Sequence, residues 1–138
     1  MLILLAQGHD ALEVVLTERA GGLAHVGQIA FAGGHLRAAD QDDPVRAALR
    51  EAQEEIGLAL DGVHIVSALP AIHPPVSKEA VAPVVAWWRE PVELTGSTEV
   101  AAIHDVPLSL FADSSARVTF RHPSGYTGPA FTVDDLFI

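Results

Sequence analysis

Short apolar runs broken by glycine, proline and polar clusters recur along most of this chain. The pattern predicts many short strands around one long helix. Residues 2–6 and 12–17 are rich in branched side chains and are split by Gln7-Gly8-His9-Asp10, which predicts two strands joined by a turn. Residues 28–31 predict a brief strand ending at Gly33-Gly34, and the polar stretch 35–43 predicts a loop. Residues 63–69 read as a strand and 70–79 as a loop punctuated by prolines. Residues 81–88 read as a strongly apolar strand that Pro83 interrupts, which predicts a sheet edge or a bulge. Residues 99–106 predict a further strand before Pro107-Leu108. Residues 109–113 predict one helical turn, and 118–120 and 130–133 the last strands, with turns at Ser124-Gly125 and Gly128-Pro129. Strands on both sides of a single long helix predict a mixed α/β sandwich.

That helix lies between Asp43 and Gly57. Asp43 is a good N-cap, Pro44 suits the first helical position, and Gly57 sits where a left-handed C-cap belongs. At about 100° per residue, Val45, Ala48, Leu49, Ala52 and Ile56 form one apolar stripe. Glu51, Glu54 and Glu55 share the neighbouring face, with Arg50 beyond them. Like charges at this spacing cost roughly 0.2–0.5 kcal/mol per pair on an exposed helix. Partly buried, at 4 Å and an effective dielectric of 20, the repulsion rises to about 4 kcal/mol. A hard divalent cation reverses the sign, and oxygen-only ligands favour magnesium, manganese or calcium over zinc. The bland alternative is a solvated acidic face. The upstream Gly33-Gly34 favours a site, because glycine lets backbone approach a ligand closely.

Composition narrows the choices. The chain has 138 residues, 49% of them hydrophobic, which fits one domain over 1–138 with one packed core. It contains no cysteine, which excludes disulfides, thiolate zinc sites and cysteine nucleophiles, and agrees with a reducing, cytoplasmic setting. The net charge is −10, and the basic residues are scattered, so no nucleic-acid partner is expected. No run approaches the roughly 20 apolar residues of a membrane span, and residues 1–6 lack the basic flank of a signal peptide. The histidines are dispersed, and His25 and His35 read as loop residues near the glycines. Trp87 and Trp88 must face opposite ways on a strand, so one of them is core. Ser124 lacks the glycine two residues earlier that a nucleophile elbow needs.

Arg50-Glu51-Ala52-Gln53-Glu54-Glu55-Ile56-Gly57-Leu58 resembles the second half of the Nudix box, G-x5-E-x7-R-E-U-x-E-E-x-G-U, where U is aliphatic. Counted back from Arg50, the box glutamate falls at Asp42 and the box glycine at Leu36, so the glycine pair stands two residues early and the loop is long. A long, aspartate-rich loop is similar to that of the coenzyme A pyrophosphatase branch. So are Leu16-Thr17-Glu18-Arg19, the run Gly27 through Gly34, Ala82-Pro83-Val84-Val85-Ala86 and the stretch from Glu99 to Leu108. The chain departs from that branch in three ways. Ala32 stands where proline is usual, residues 20–26 lack the usual basic residues, and the chain stops at Ile138, before a further Trp-Gly-containing helix. The second departure weakens the case for an anionic coenzyme A. The third predicts uncovered apolar surface, and with it a homodimer or a truncated chain.

The resemblance implies a Nudix-type α/β/α sandwich with a mixed sheet, its box region spanning 33–58. It implies metal-dependent hydrolysis of a diphosphate bond in a small nucleotide substrate. Coenzyme A or acyl-coenzyme A is favoured, cleaved to 3′,5′-ADP and (acyl-)phosphopantetheine. The alternatives are ADP-ribose, a dinucleotide or a nucleoside triphosphate, or a Nudix-like module that binds without catalysis. Glu51, Glu54 and Glu55 match the glutamates that hold Mg2+ or Mn2+, with Glu51 the favoured base. Arg50 matches the box arginine and is expected to orient a glutamate. The Gly34 carbonyl is a further candidate ligand. Arg19, Gly33, Gly34 and Lys78 are candidate substrate contacts. Glu99 is a candidate base or extra ligand, and reads equally as a surface glutamate at a strand start.

Overall fold

The computed structural model describes residues 1–21, 27–74, 79–121 and 125–138. Its main sheet contains β1 (Leu2–Gln7), β2 (Leu12–Arg19), β3 (Ile29–Ala30), β4 (Val63–Ala68), β5 (Val84–Trp88) and β6 (Val100–Pro107). The order is β3-β2-β1-β5-β4, and β6 pairs with β2. β1 and β5 run parallel while the remaining pairs are antiparallel, so the sheet is mixed as expected. The long helix α1 spans Pro44–Ile56. The short helix α2 spans Leu108–Ala112, and β7 (Arg117–Arg121), β8 (Thr127–Val133) and β9 (Leu136–Phe137) form a second, three-stranded sheet.

Alternation along the strands gives the main sheet two apolar faces. One carries Leu2, Leu4, Val15, Val84, Ala86 and Trp88, on which α1 lays Ala48, Ala52 and Ile56. The other carries Val14, Leu16, Ile29 and Val106, covered by α2 and the small sheet through Leu110, Phe111, Phe131 and Val133. The fold is thus α/β/α, with the second outer layer shared between a five-residue helix and a small sheet. Trp88 is the core tryptophan of the pair.

The ends of α1 form for local reasons. The Asp43 side chain accepts from the Val45 N–H at 2.8 Å, and Pro44, which has no N–H, needs no such acceptor. At the other end Gly57 has φ 65°, and the Thr95 and Ser97 N–H groups donate to the carbonyls of Ile56 and Glu55. These last two bonds tie residues 95–97 to the helix and bring Glu99 towards it.

Pro83 departs from expectation. β5 is an interior strand, paired with β1 and β4, and Pro83 stands just before it, its carbonyl accepting from the Leu69 N–H. A proline before the first ladder position removes no sheet hydrogen bond. The bulge lies on β4, where the register shifts between Ile65 and Ser67.

Ile56 is buried to 1% where α1 meets the sheet. Replacing it with alanine is expected to cost about 2–5 kcal/mol, as loss of a buried branched side chain does. Urea unfolding should show the midpoint falling with an unchanged m-value.

Candidate active site

The carboxylates of α1 converge on the glycine pair. The Leu2 N–H donates to the Ala32 carbonyl at 2.8 Å, which draws the following glycines over the helix. A Cβ on Gly34 would fall 2.6 Å from the Glu51 carboxyl carbon, and one on Gly33 would fall 2.7 Å from the Met1 Cα. Neither glycine has a positive φ, so close approach is what requires them. The Gly33 N–H donates to Glu55 Oε2 at 2.9 Å. Burial pushes the Glu55 carboxyl above its usual 4.5. The Gly33 N–H opposes that rise, the charges of Glu51 and Glu99 add to it, and Arg19 opposes it.

Arg50 binds four partners. Its Nε and Nη2 donate to Asp40 Oδ1 and Oδ2 at 2.9 and 2.8 Å, a bidentate pair. Its Nη1 donates to Glu51 Oε1 at 2.7 Å and to Glu54 Oε2 at 3.3 Å, and its Nη2 also reaches the His35 carbonyl. Hydrogen bonding to the Arg50 guanidinium holds the Asp40 carboxyl down at about 2, and the acids in turn keep Arg50 firmly protonated. Asp40 also accepts from the Arg37 N–H at 2.7 Å, closing a 3-10 turn over Ala38–Asp40.

Asp40 therefore does what the box alignment assigned to Asp42, which is exposed. Asp40 follows Gly34 by the same interval that separates the glycine and glutamate of the box. The two extra residues fall after it: Gln41 and Asp42 have φ of 55° and 57°, a left-handed turn that absorbs the added length before the helix cap. That glycine-to-acid interval was the sequence signal for Asp40. Nothing in the sequence singled out Arg37, whose Nη1 lies 2.9 Å from Glu54 Oε1 and whose Nη2 lies 3.6 Å from Glu51 Oε1.

Arg19 and Glu99 join the same neighbourhood. With Gly33, Glu55 and Thr17 they line a cavity of about 50 Å³. The Arg19 Nε is buried there without a hydrogen-bond partner among the described residues. On the other side of the glycines lies an open groove of about 600 Å³ along Phe31, Leu36, Pro44 and Val81. His35 and Glu79, which pair at 2.8 Å, also border it. The expected contact Lys78 and the loop histidine His25 lie outside the described residues.

Among the described residues no three acidic or histidine side chains already form a cation cage. The Glu51 and Glu54 oxygens are turned to guanidinium groups. The donor set nonetheless suits a hard cation. It is all oxygen, two of its members already gather positive charge, and the space where a Gly34 Cβ would stand is filled by a carboxylate.

The NUDIX domain family matches residues 1–120. The chain belongs to the Nudix family. Among relatives, it is 37% identical over 126 residues to Nudix hydrolase 15, mitochondrial, of Arabidopsis thaliana, covering 85% of this chain and 42% of that protein. It is 31% identical over 138 residues to the peroxisomal coenzyme A diphosphatase ndx-8 of Caenorhabditis elegans, covering 98% of this chain and 58% of that protein. This Nudix chain spans about half the length of the curated relatives it matches. The fold agrees with a crystal structure of a Nudix hydrolase from M. smegmatis, RenU. The TM-score is 0.67 at 24% identity, over 81% of this chain and 71% of that one. Nudix hydrolases generally need divalent metal ions. No helix among the described residues is long and apolar enough to cross a membrane.

The raised Glu55 has a thermodynamic consequence. Unfolded, its carboxyl ionises near 4.5; folded, it ionises higher. Its contribution to metal-free stability is therefore complete below 4.5 and is lost as pH rises through the folded value. Glu55→Gln should raise the metal-free melting temperature at pH 7 and flatten its decline above pH 4.5. Thermal unfolding in a chelator between pH 4 and 8 checks this; a lower melting temperature at pH 7 would contradict it.

Proposed function

We propose that residues 1–138 form one catalytic domain that hydrolyses a diphosphate bond in a nucleoside diphosphate derivative, with Mg2+ or Mn2+ held by Glu51, Glu54, Glu55 and the Gly34 carbonyl. The observation that carries this reading is the convergence of Glu51 and Glu55 on the glycine pair. Oxygen donors meet closely approachable backbone there, beside a groove large enough for a nucleotide. A divalent cation at this place neutralises the diphosphate oxygens and makes water more acidic.

The chain's own residues supply the rest. Glu51 is the proposed base as well as a proposed ligand: it is nearly buried, and the Arg50 contact to its Oε1 orients the carboxylate that takes the proton of the attacking water. The water oxygen bonds to one phosphorus, the bridging P–O bond breaks, and the leaving phosphate departs with the bridging oxygen. Arg19, which lines the small cavity beside Glu55, is a proposed contact for a phosphate oxygen, and the Gly33-Gly34 backbone lets that phosphate lie close. Glu99, across the cavity from Glu55, is an added ligand or an alternative base.

Coenzyme A or its acyl form is the proposed substrate. Support comes from the relative named a coenzyme A diphosphatase, which aligns along nearly all of this chain, and from the long loop before α1. The lack of basic residues in 20–26 favours, as the second reading, a substrate without a 3′-phosphate, such as ADP-ribose or a dinucleotide. The exposed apolar Ile65 and Val66 on β4 support a homodimer, and the cysteine-free chain agrees with a cytoplasmic location.

Chromatography of products after incubation with Mg2+ or Mn2+ and coenzyme A, ADP-ribose, NADH or nucleoside triphosphates tests the assignment. The expected result is 3′,5′-ADP and phosphopantetheine. Turnover of another compound alone replaces the substrate, and binding without turnover favours a non-catalytic module. Glu54→Gln and Glu55→Gln should each lower kcat by about 10²-fold or more, the scale of losing groups that stabilise transition-state charge. Circular dichroism should be unchanged. Near-normal rates in both would refute the site.

A further inference from the structure

Arg37 reaches the carboxylate face of α1 from the loop that precedes it. Its guanidinium reaches Glu54 Oε1 at 2.9 Å and Glu51 Oε1 at 3.6 Å, so it spans two of the three carboxylates assigned to the metal. Arg50 touches the same two side chains, yet it is 19% exposed and locked to Asp40 by two hydrogen bonds. Arg37 is 54% exposed, and its side chain makes no other ion pair among the described residues. Its backbone, in contrast, is fixed through the Asp40 carboxylate. One guanidinium is thus fixed to loop and helix together, while the other is an exposed side chain held, among the described residues, only through Glu54 and Glu51.

We propose that Arg37 is a resident counter-ion of the carboxylate face, displaced when a divalent cation binds, and that the released guanidinium then binds a substrate phosphate. This rests on the metal and diphosphate reading given above. Without metal, Arg37 screens the repulsion between Glu51 and Glu54. A cation and a guanidinium cannot share Glu54 Oε1, which Arg37 holds and Arg50 does not, so an ion that takes this oxygen expels Arg37, the more exposed arginine with fewer contacts. The loop keeps Arg37 within reach. Its planar fork of donors is then unpaired beside the cation, where a diphosphate must bring its oxygens. The arginine changes partners from carboxylate to phosphate, which couples metal binding to substrate binding without any movement of α1.

Manganese titrations followed by electron paramagnetic resonance, on the whole chain without nucleotide, test the first half. Arg37→Gln should bind Mn2+ roughly threefold to tenfold more tightly than the unaltered protein, the scale of removing a partly exposed competing ion pair. Arg37→Lys, which keeps the charge, should stay close to the unaltered affinity. Calorimetry with ADP on the Mn2+-loaded protein tests the second half, and Arg37→Gln should weaken ADP binding by about tenfold, the scale of a charge-assisted contact. Equal or weaker Mn2+ binding by Arg37→Gln overturns the counter-ion role, and unchanged ADP affinity overturns the phosphate role. Glu54→Gln in the same titration separates the two levels. If it loses Mn2+ while Arg37→Gln binds as before, only the inference about Arg37 falls. If neither variant alters Mn2+ affinity, the metal site falls with it.

Discussion

Arg50 is the group on which the arrangement of the site depends. Four like charges at Asp40, Glu51, Glu54 and Glu55 cannot be collected at one end of a helix without a counter-charge that stays in place. The fork of Arg50 supplies it, taking Asp40 with one edge and Glu51 with another tip. Because Asp40 belongs to the loop and Glu51 to the helix, the same guanidinium fastens one to the other. The loop in turn runs from the glycine pair whose backbone receives Glu55. Loosening Arg50 would release loop, helix and glycines from one another. A lysine could keep the charge but could not hold Asp40 bidentately while also reaching Glu51.

The remaining fold presents this assembly rather than taking part in it. Packing of Ala48, Ala52 and Ile56 on the sheet sets the rotation of α1, which directs the carboxylate face to the end of β1 and the glycines. Small alanines at the contact bring the helix axis close, so Glu51 is buried although it is charged. The bonds from Thr95 and Ser97 to the last helical carbonyls hold the segment before β6 against the same helix end. Glu99 and Arg19 arrive together because β2 and β6 are paired neighbours, so a short cavity forms between strand ends and helix.

What was legible in the sequence was local. Asp43, Pro44 and Gly57 bound the helix by chemistry that needs no distant partner, and the spacing of its apolar and acidic residues gave both faces. Most strands around it followed from branched runs and turns, but Gly128-Pro129, read as a turn, lies inside β8, paired with Phe120 and Thr119. Asp40 was missed because the alignment was counted back from Arg50 at fixed spacing, whereas the chain keeps the interval after Gly34 and places its extra residues in a left-handed turn that no pattern of hydrophobicity records. Arg37 was missed because only the conformation of that loop aims its side chain at the helix. Pro83 was misplaced for a related reason. A proline one residue before a strand and one inside it look alike in sequence, but only the latter lacks a ladder donor.

Three arginines stand among the acidic groups of this Nudix site. Asp40, Glu51, Glu54, Glu55 and Glu99 have Arg19, Arg37 and Arg50 among them, and the Met1 ammonium also acts on Glu51 and Glu55. Glu55 is the carboxylate of α1 that, among the described residues, no guanidinium contacts and whose ionisation burial opposes. The fold therefore holds its least satisfied carboxylate against the Gly33 N–H, at the glycine backbone proposed to face the cation.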